Sequence, residues 1–147
     1  MYLSVAQVQI ESELGFVQGG LQNISGMESH VQEALRLCDA YHDQRDTILL
    51  GVRNQAYGFL ANAYFQKGVN TQGSLQDQAG FSQAQEKIRL AIHYDSLCLA
   101  VQDSLDQLMQ SPALWRLPNR FILLSNLASR IPTVEPFAEA DTVYQEV

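Results

Sequence analysis

Hydrophobic residues recur every three or four positions along most of this chain, and that spacing is typical of one face of an α-helix. The first series spans residues 2–18 and is followed by Gly19 and Gly20. These glycines favour a helix end, because glycine readily adopts positive φ. The apolar positions are Leu3, Ala6, Ile10, Leu14 and Val17. The pattern predicts a first helix over residues 2–18.

Two further helices are predicted before residue 68. Ser25 and Glu28 fit a capping box, in which both side chains accept hydrogen bonds from amides at the start of a helix. They predict a second helix over residues 25–41. Residues 43–67 contain no proline, and their apolar positions repeat with a period close to 3.6. They indicate one long helix that ends at Gly68, with a break near Gly51 as the alternative.

The region after Gly68 is predicted to be a loop followed by one or two helices. Residues 69–79 are polar and include Gly, Asn and Ser, which favours an exposed loop. A fourth helix begins near Gly80, and its apolar face continues almost in phase through residues 97–108. We expect a break at residues 95–96, because ordinary helix lengths favour one there. A single long helix would show the same periodicity.

Prolines mark the C-terminal end of the helical region. Ser111 and Pro112 predict a short helical turn, since proline is common at the first position of a helix. A last helix is predicted over residues 120–130, preceded by Pro118 and stopped before Pro132. No stretch alternates between apolar and polar residues over the length that a sheet needs. The chain is therefore expected to be all-α.

Composition and charge narrow the function classes. The 147 residues carry nine Lys and Arg against sixteen Asp and Glu, for a net charge of −7. This charge repels nucleic-acid backbones and anionic membranes, so neither is expected as a partner. Cys38 and Cys98 lie far apart without a CxxC pair, which favours buried, reduced thiols and a cytoplasmic protein. No apolar run approaches the ~20 residues of a membrane span, and the N-terminus does not resemble a signal peptide.

Titratable clusters give little support for catalysis. Residues 41–43 (Tyr-His-Asp) and 93–95 (His-Tyr-Asp) each place a His beside a carboxylate, a combination that can serve acid–base chemistry. Adjacent residues on a helix diverge by about 100°, so neither trio presents converging groups, and both lie where helices are predicted to end. The sequence also lacks metal-binding spacings, a phosphate-binding loop and a serine-nucleophile motif. We expect a non-enzymatic protein with no metal and no cofactor.

The stretch 54–96 resembles the helix-turn-helix unit of the tetratricopeptide repeat (TPR) family. Its first helix has an aromatic residue, Leu, Ala and Tyr at the family's spacing, and its second has a series of Phe, Ala, Ile and Ala. The matching residues are Tyr57, Leu60, Ala61, Tyr64, Gly68, Phe81, Ala84, Ile88 and Ala91. The three alanines would let the two helices approach closely. A weaker copy of the pattern lies over residues 14–35.

The resemblance implies antiparallel helix pairs stacked as a right-handed superhelix. This arrangement would form a single helical-repeat domain over residues 1–132, followed by an acidic tail over residues 133–147. Two features depart from the family: the turn between the two helices is about eleven residues longer than usual, and Ser96 stands where proline is customary. An irregular helical bundle whose seam shows the same spacing is the alternative fold.

The family also implies a peptide-binding groove lined by the first helix of each pair. The matching positions are Gln55, Gly58, Asn62 and Phe65, which follow one side of the helix. Asn62 is the most suggestive of these, because the family often holds a bound peptide backbone through an Asn amide at this position. The upstream equivalents are Gln9, Ser12 and Phe16.

The C-terminal helix is predicted to be basic. It carries Arg116, Arg120 and Arg130 with no acidic residue between positions 111 and 131. It could take an acidic partner segment, the acidic N-terminal face of a second copy, or the acidic tail. We therefore add Arg116 and Arg120 to Gln55, Asn62 and Phe65 as predicted partner-binding residues.

Three hypotheses for function follow. The first is a non-enzymatic scaffold or adaptor that binds a peptide or protein surface in a helical groove. The second is a regulatory or sensor domain of a larger protein, whose groove receives an internal segment or a small ligand. The third is a helical bundle that associates with a second copy as a homodimer.

Overall fold

The computed structural model describes residues 2–21, 23–41, 46–74, 78–109 and 117–131, and the regular elements in these ranges are α-helices. Five helices are present there: α1 (Tyr2–Gly20), α2 (Ile24–Asp39), α3 (Thr47–Ser74), α4 (Gln78–Leu108) and α5 (Leu117–Arg130). The prediction of an all-α chain is confirmed.

Helix α3 is longer than predicted, and Gly68 does not end it. The helix continues to Ser74 and α4 begins at Gln78, so most of the predicted loop over residues 69–79 is helical. Gly68 is needed for packing instead. A Cβ at this position would lie 2.6 Å from Ile88 Cγ1 and 3.0 Å from the Ala84 carbonyl oxygen. The glycine therefore lets α4 approach α3 closely.

Helix α4 runs without interruption through residues 95–96, so the predicted break there is wrong. Its 31 residues continue from Gln78 to Leu108. Ser96 points its hydroxyl back along the helix and donates to the Ile92 carbonyl at 2.9 Å, which satisfies the side chain without a turn. Asp95 is buried rather than capping a helix end.

The helix caps also differ from those predicted. Asn23 caps α2, and its side-chain oxygen accepts from the Gly26 amide at 3.0 Å. Ser25 lies inside the helix, so the predicted capping box is wrong. Asp46 performs the same role before α3, where its carboxylate accepts from the Ile48 amide at 2.8 Å.

The last helix begins at Leu117, three residues before the predicted start. Pro118 therefore lies within the first turn, where its missing amide costs nothing. The predicted turn at residues 111–112 and the predicted acidic tail over residues 133–147 lie outside the described residues.

Helices α3 and α4 form the most extensive contact in the described chain, and α1 and α2 form a second pair. Three small residues, Ala61, Ala84 and Ala91, are fully buried, which agrees with the close helix approach expected at these positions. Leu60 and Ile88 are also fully buried between the two helices. Small residues beside large ones allow close packing with a continuous apolar seam.

Helix α1 approaches α2 through two glycines. A Cβ on Gly15 would lie 2.7 Å from Val31 Cγ2, and one on Gly19 would lie 2.9 Å from Met27 Sδ. Helix α1 also contacts α3, while α5 contacts α4.

Candidate functional site: a groove along helix α3

Two neighbouring cavities lie along the side of α3 that was predicted to bind a partner. The smaller has a volume of about 280 Å³ and is enclosed by α3, α4 and α5. It is lined by Asn54, Gln55, Gly58, Phe59, Asn62, Asp95, Cys98, Ile122 and Asn126. Gln55, Gly58 and Asn62, three of the four predicted groove positions, therefore lie together in one cavity.

The larger cavity has a volume of about 640 Å³ and lies between α1, α2 and α3. It shares Phe59 and Asn62 with the smaller cavity. Its other lining residues are Phe16, Gly19, Gly20, Ile24, Met27, Ala63, Gln66 and Asn70. The two cavities follow the same side of α3 and share two wall residues, and we call them together the α3 groove.

Of the upstream positions predicted to line a groove, only Phe16 does so. Its ring lies 5.9 Å from the ring of Phe59, centroid to centroid. Ser12 is buried and donates to Gln55 Oε1 at 3.1 Å, which ties α1 to α3. Gln9 lines a different, shallow cavity on α1. The predictions for Ser12 and Gln9 are therefore wrong, since Ser12 joins two helices and Gln9 faces away from the groove.

Sequence analysis missed a polar cluster that includes Asn62 and Asp95 of the groove wall. Arg130 at the end of α5 is only 5% exposed. Its Nη1 donates to Asp95 Oδ2 at 2.5 Å and its Nη2 donates to Asn62 Oδ1 at 2.7 Å. Its guanidinium carbon lies 4.6 Å from the centroid of the Phe65 ring. We call these four residues the Arg130 cluster.

The Arg130 cluster changes the roles predicted for Asn62 and Phe65. Phe65 lines neither cavity of the groove and instead supports the guanidinium of α5. Asn62 does line the groove, but its side-chain oxygen is engaged by Arg130. Its amide nitrogen retains two N–H donors for a ligand carbonyl. Arg130, predicted as part of a basic outer face, holds α5 onto α3 and α4 from the interior.

Burial dominates the electrostatics of Asp95. Removing this carboxyl from water raises its pKa to about 6, although the adjacent Arg130 acts in the opposite direction. Asp95 is 1% exposed, so its ionised form depends on Arg130 for compensation.

A second polar cluster ties α3 to α2. Glu28 accepts a hydrogen bond from the Tyr64 hydroxyl and another from Lys67 Nζ at 2.6 Å. The Tyr64 ring stacks on the Tyr94 ring of α4 at a centroid distance of 5.7 Å. We call Glu28, Tyr64, Lys67 and Tyr94 the Glu28 cluster.

The Glu28 cluster remains partly accessible to solvent, with the side chains of Glu28 and Lys67 21% and 32% exposed. Burial alone would raise the pKa of Glu28, but the hydrogen bonds from Lys67 and Tyr64 outweigh it and lower the pKa. Burial and the bond to Glu28 both raise the pKa of Tyr64.

The two cysteine thiols are not activated as nucleophiles. Cys38 and Cys98 are free, buried thiols. Burial raises the pKa of both, that of Cys98 to about 12, so neither forms a thiolate near neutral pH. The Cys98 thiol also donates to the Asn54 carbonyl at 3.1 Å.

The remaining candidates for chemistry do not converge on a site. Residues 93–95 lie in the middle of α4, not at a helix end, with His93 exposed and Asp95 buried. His42 and Asp43 lie outside the described residues. Within the described ranges, no group of three His, Cys, Asp or Glu side chains could hold a metal ion. Over the same ranges, no helix is both long and apolar enough to cross a membrane.

Two predicted partner-binding residues cannot be placed relative to the groove. Arg116 lies outside the described residues, and Arg120 is on α5 at a position whose side chain is not described. The prediction that they bind an acidic partner stays a prediction. The groove is lined by four of the predicted positions, Phe16, Gln55, Gly58 and Asn62, and by Phe59 and other residues that the sequence did not single out. In comparisons with known proteins, no family model, no curated protein and no solved structure matches this chain.

Proposed function

We propose that this chain is a non-enzymatic adaptor that binds an extended segment of a partner protein in the α3 groove. The observation that carries the proposal is the mixture of exposed amides and aromatic rings along the groove. Phe16 is 56% exposed, and Asn62, Gln66 and Asn70 are exposed beside it.

These side chains suit a peptide backbone. Asn and Gln amides offer both a donor and an acceptor, which matches the alternating N–H and C=O groups of an extended segment. Phe16 and Phe59 supply apolar area for a side chain of the partner, and aromatic residues are prominent among the energetically important residues of interfaces. Two neighbouring cavities along one helix favour an extended segment over a compact small molecule.

Helix packing supports a TPR-like arrangement as the setting for this groove. Helices pair in sequence order, α1 with α2 and α3 with α4, and α1 also contacts α3. A stack of antiparallel pairs would produce this order and would bring α1, α3 and α5 to one side. An irregular bundle remains the alternative, in which the same side chains would line an isolated cleft.

The net charge of −7 favours protein over nucleic acid as the partner. Buried, protonated cysteines and the dispersed histidines favour a binding role over catalysis.

The proposal is tested by selecting binders from a displayed random-peptide library and measuring their affinity by fluorescence anisotropy. Phe16→Ala and Gln66→Ala change exposed groove residues without touching the Arg130 cluster. Gln83→Ala is the matched control, because Gln83 is an exposed residue of α4 outside both cavities. We expect Phe16→Ala to weaken binding about tenfold, a loss of ~1.4 kcal/mol, and Gln66→Ala to weaken it less.

Peptides whose affinity is unchanged by both groove substitutions would contradict the proposal. A selection that yields no peptide dependent on the groove would contradict it as well. Asn62→Ala is measured separately, since this change also removes an acceptor of Arg130.

A further inference from the structure

Helix α1 exposes a stripe of large apolar side chains on its outer side. Ile10, Leu14, Val17 and Leu21 are 57%, 39%, 51% and 70% exposed. Leu21 follows the last residue of α1 and continues its hydrogen bonding, with its amide donating to the Val17 carbonyl at 3.1 Å. We call these four residues the α1 stripe. Contiguous exposed apolar patches of this kind mark interaction sites more often than isolated residues do.

The α1 stripe is not the edge of the protein's own core. Consecutive helix residues are separated by about 100°, so Val8, Ser12 and Gly15 point to the opposite side of α1. Those three residues are buried, and Gly15 lies against Val31 of α2. These buried residues form the side of α1 that packs on the rest of the chain. The stripe lies on the opposite side.

The spacing of the stripe suits a second helix as its occupant. Its residues are four, three and four positions apart, which is the seam of a heptad repeat. A shallow depression of about 360 Å³ accompanies it, lined by Ala6, Gln9, Ile10, Glu13, Leu14 and Val17. Amphipathic helices bind such surfaces by inserting apolar residues at the same three-and-four spacing.

Charge beside the stripe indicates which kind of helix would bind. Glu13 is the only charged residue among those that line the depression, and it is exposed. Within the described part of the chain, its carboxylate has no hydrogen bond or ion pair. Glu11, by contrast, is held by His30 Nδ1 at 2.7 Å. Residues 1–35 contain no Lys or Arg that could neutralise this surface.

We propose that the α1 stripe binds an amphipathic helix of a partner protein that carries Lys or Arg beside its apolar seam, with Glu13 as the residue that selects for positive charge. A second copy of this chain is a poorer occupant. It would bring an identical stripe without basic flanks, and each chain carries a charge of −7.

The α1 stripe is a different surface from the α3 groove. Phe16 faces the groove while Leu14 and Val17 line the depression on the outer side. The protein would therefore offer two binding surfaces on one helix, one for an extended segment and one for a helix. Loss of binding at one surface would leave binding at the other unaffected, and different substitutions test each surface.

Two synthetic three-heptad peptides test the proposal against the full chain. Both have Leu at the seam positions, one with Lys and one with Glu at the flanking positions, and binding is measured by fluorescence anisotropy. We expect saturable binding of the Lys peptide in preference to the Glu peptide. Leu14→Asp should weaken that binding by about tenfold or more, because it places a charge in the apolar seam. Circular dichroism melting of the variant shows whether it remains folded.

Charge reversal at Glu13 gives an independent test at an exposed position that leaves the fold intact. Glu13→Lys should shift the preference from the Lys peptide toward the Glu peptide by roughly two- to fivefold, the range of an exposed ion pair. Gln83→Lys on α4 adds the same charge far from the stripe and should leave the preference unchanged.

Three results would overturn the proposal: no saturable binding of the Lys peptide, binding that Leu14→Asp does not weaken in a folded variant, or no change of preference with Glu13→Lys. Sedimentation equilibrium of the wild type gives a further test. We expect a monomer, and a dimer abolished by Leu14→Asp would identify a second copy as the occupant instead.

Discussion

Arg130 and Glu28 each tie the α3–α4 pair to a neighbouring helix, in opposite electrostatic settings. The Arg130 cluster joins α5 to the pair, and the side chains of its ionic partners are 6% and 2% exposed. The Glu28 cluster joins α2 to the pair, and its ionic partners are 21% and 32% exposed. Burial raises the pKa of Asp95 in the first, whereas hydrogen bonds lower the pKa of Glu28 in the second.

The two clusters differ in their expected contribution to net stability and to helix position. A fully buried ion pair gains strong attraction but loses hydration of both charges, so its net contribution to stability can be near zero. Its orientation is nevertheless strict, because Arg130 must satisfy Asp95 and Asn62 together. A half-exposed carboxylate gives up less hydration and keeps part of its attraction. We infer that the Arg130 cluster positions α5 at the groove, while the Glu28 cluster contributes modest net stability.

The largest effect is expected from removing one partner of the buried pair. Arg130→Met or Asp95→Leu alone should lower the free energy of unfolding by about 3–5 kcal/mol, because each leaves an unpaired buried charge. The double substitution should be far less harmful than the sum, since no charge remains. Urea denaturation of the two single variants and the double variant measures this coupling. Additive losses would show that the two charges do not depend on each other.

A smaller effect is expected from a change in packing between α3 and α4. Gly68→Ala should cost about 1–3 kcal/mol, because its Cβ would meet Ile88 and the Ala84 carbonyl. Gly51→Ala is the matched control on the same helix. A Cβ there has nothing within 4 Å, so that variant should gain about 0.5–1 kcal/mol from helix propensity. Equal effects of the two substitutions in thermal melts would refute the close approach of α3 and α4 at Gly68.

Glu28→Gln should lower the free energy of unfolding by less again, about 1 kcal/mol, because the amide can still accept from Tyr64 while the charge opposite Lys67 is lost.

Salt provides a further distinction between the two clusters. The loss caused by Glu28→Gln should shrink in high salt, since its ion pair reaches solvent, whereas the loss caused by Asp95→Leu should not. Urea melts at low and high salt measure both, and an equal salt dependence would contradict the difference in burial.

The pH dependence of the two clusters should have opposite signs. A raised pKa means that folded Asp95 holds its proton more readily than the unfolded chain does. Its stabilising contribution is therefore fully present below 3.8 and is lost as pH rises through about 6. Glu28 has a lowered pKa, so its contribution is present above 4.5 and is lost as pH falls below that value. Urea melts of the wild type, Asp95→Asn and Glu28→Gln across this range isolate each contribution. Differences that change with pH in the same direction would contradict the assignment.

Local patterns were sufficient to predict the helical class and much of the packing. The resemblance to a TPR helix pair implied a close approach of two helices at Ala61, Ala84 and Ala91, and the full burial of all three agrees with it. The positions Gln55, Gly58 and Asn62 were expected on one side of a helix, and they line one cavity. The groove positions were implied by the resemblance to a TPR helix pair, and their place on one side of α3 follows from helical periodicity.

Helix ends and long-range pairs could not be predicted in the same way. Glycine commonly ends helices, yet Gly68 lies inside α3, where its missing side chain allows tight packing against Ile88. The pair Asp95-Ser96 is typical of a turn that ends a helix. Helix α4 nevertheless continues through both residues, and neither acts as a cap. Arg130 lies 35 residues from Asp95, and no local pattern pairs them. One signal was present: Asp95 continues the apolar series of Ile88 and Ala91, and a carboxylate in a buried series requires a partner of opposite charge.

Amide hydrogen exchange of Arg130→Lys, compared with the wild type, tests most directly whether the Arg130 cluster holds α5 in place beside the groove. Lysine keeps the charge but cannot donate to Asp95 and Asn62 in the same fork geometry. We expect faster exchange confined to α5, with protection retained in α1, α2 and the centre of α3. Unchanged protection of α5, or a uniform loss across all five helices, would contradict that role.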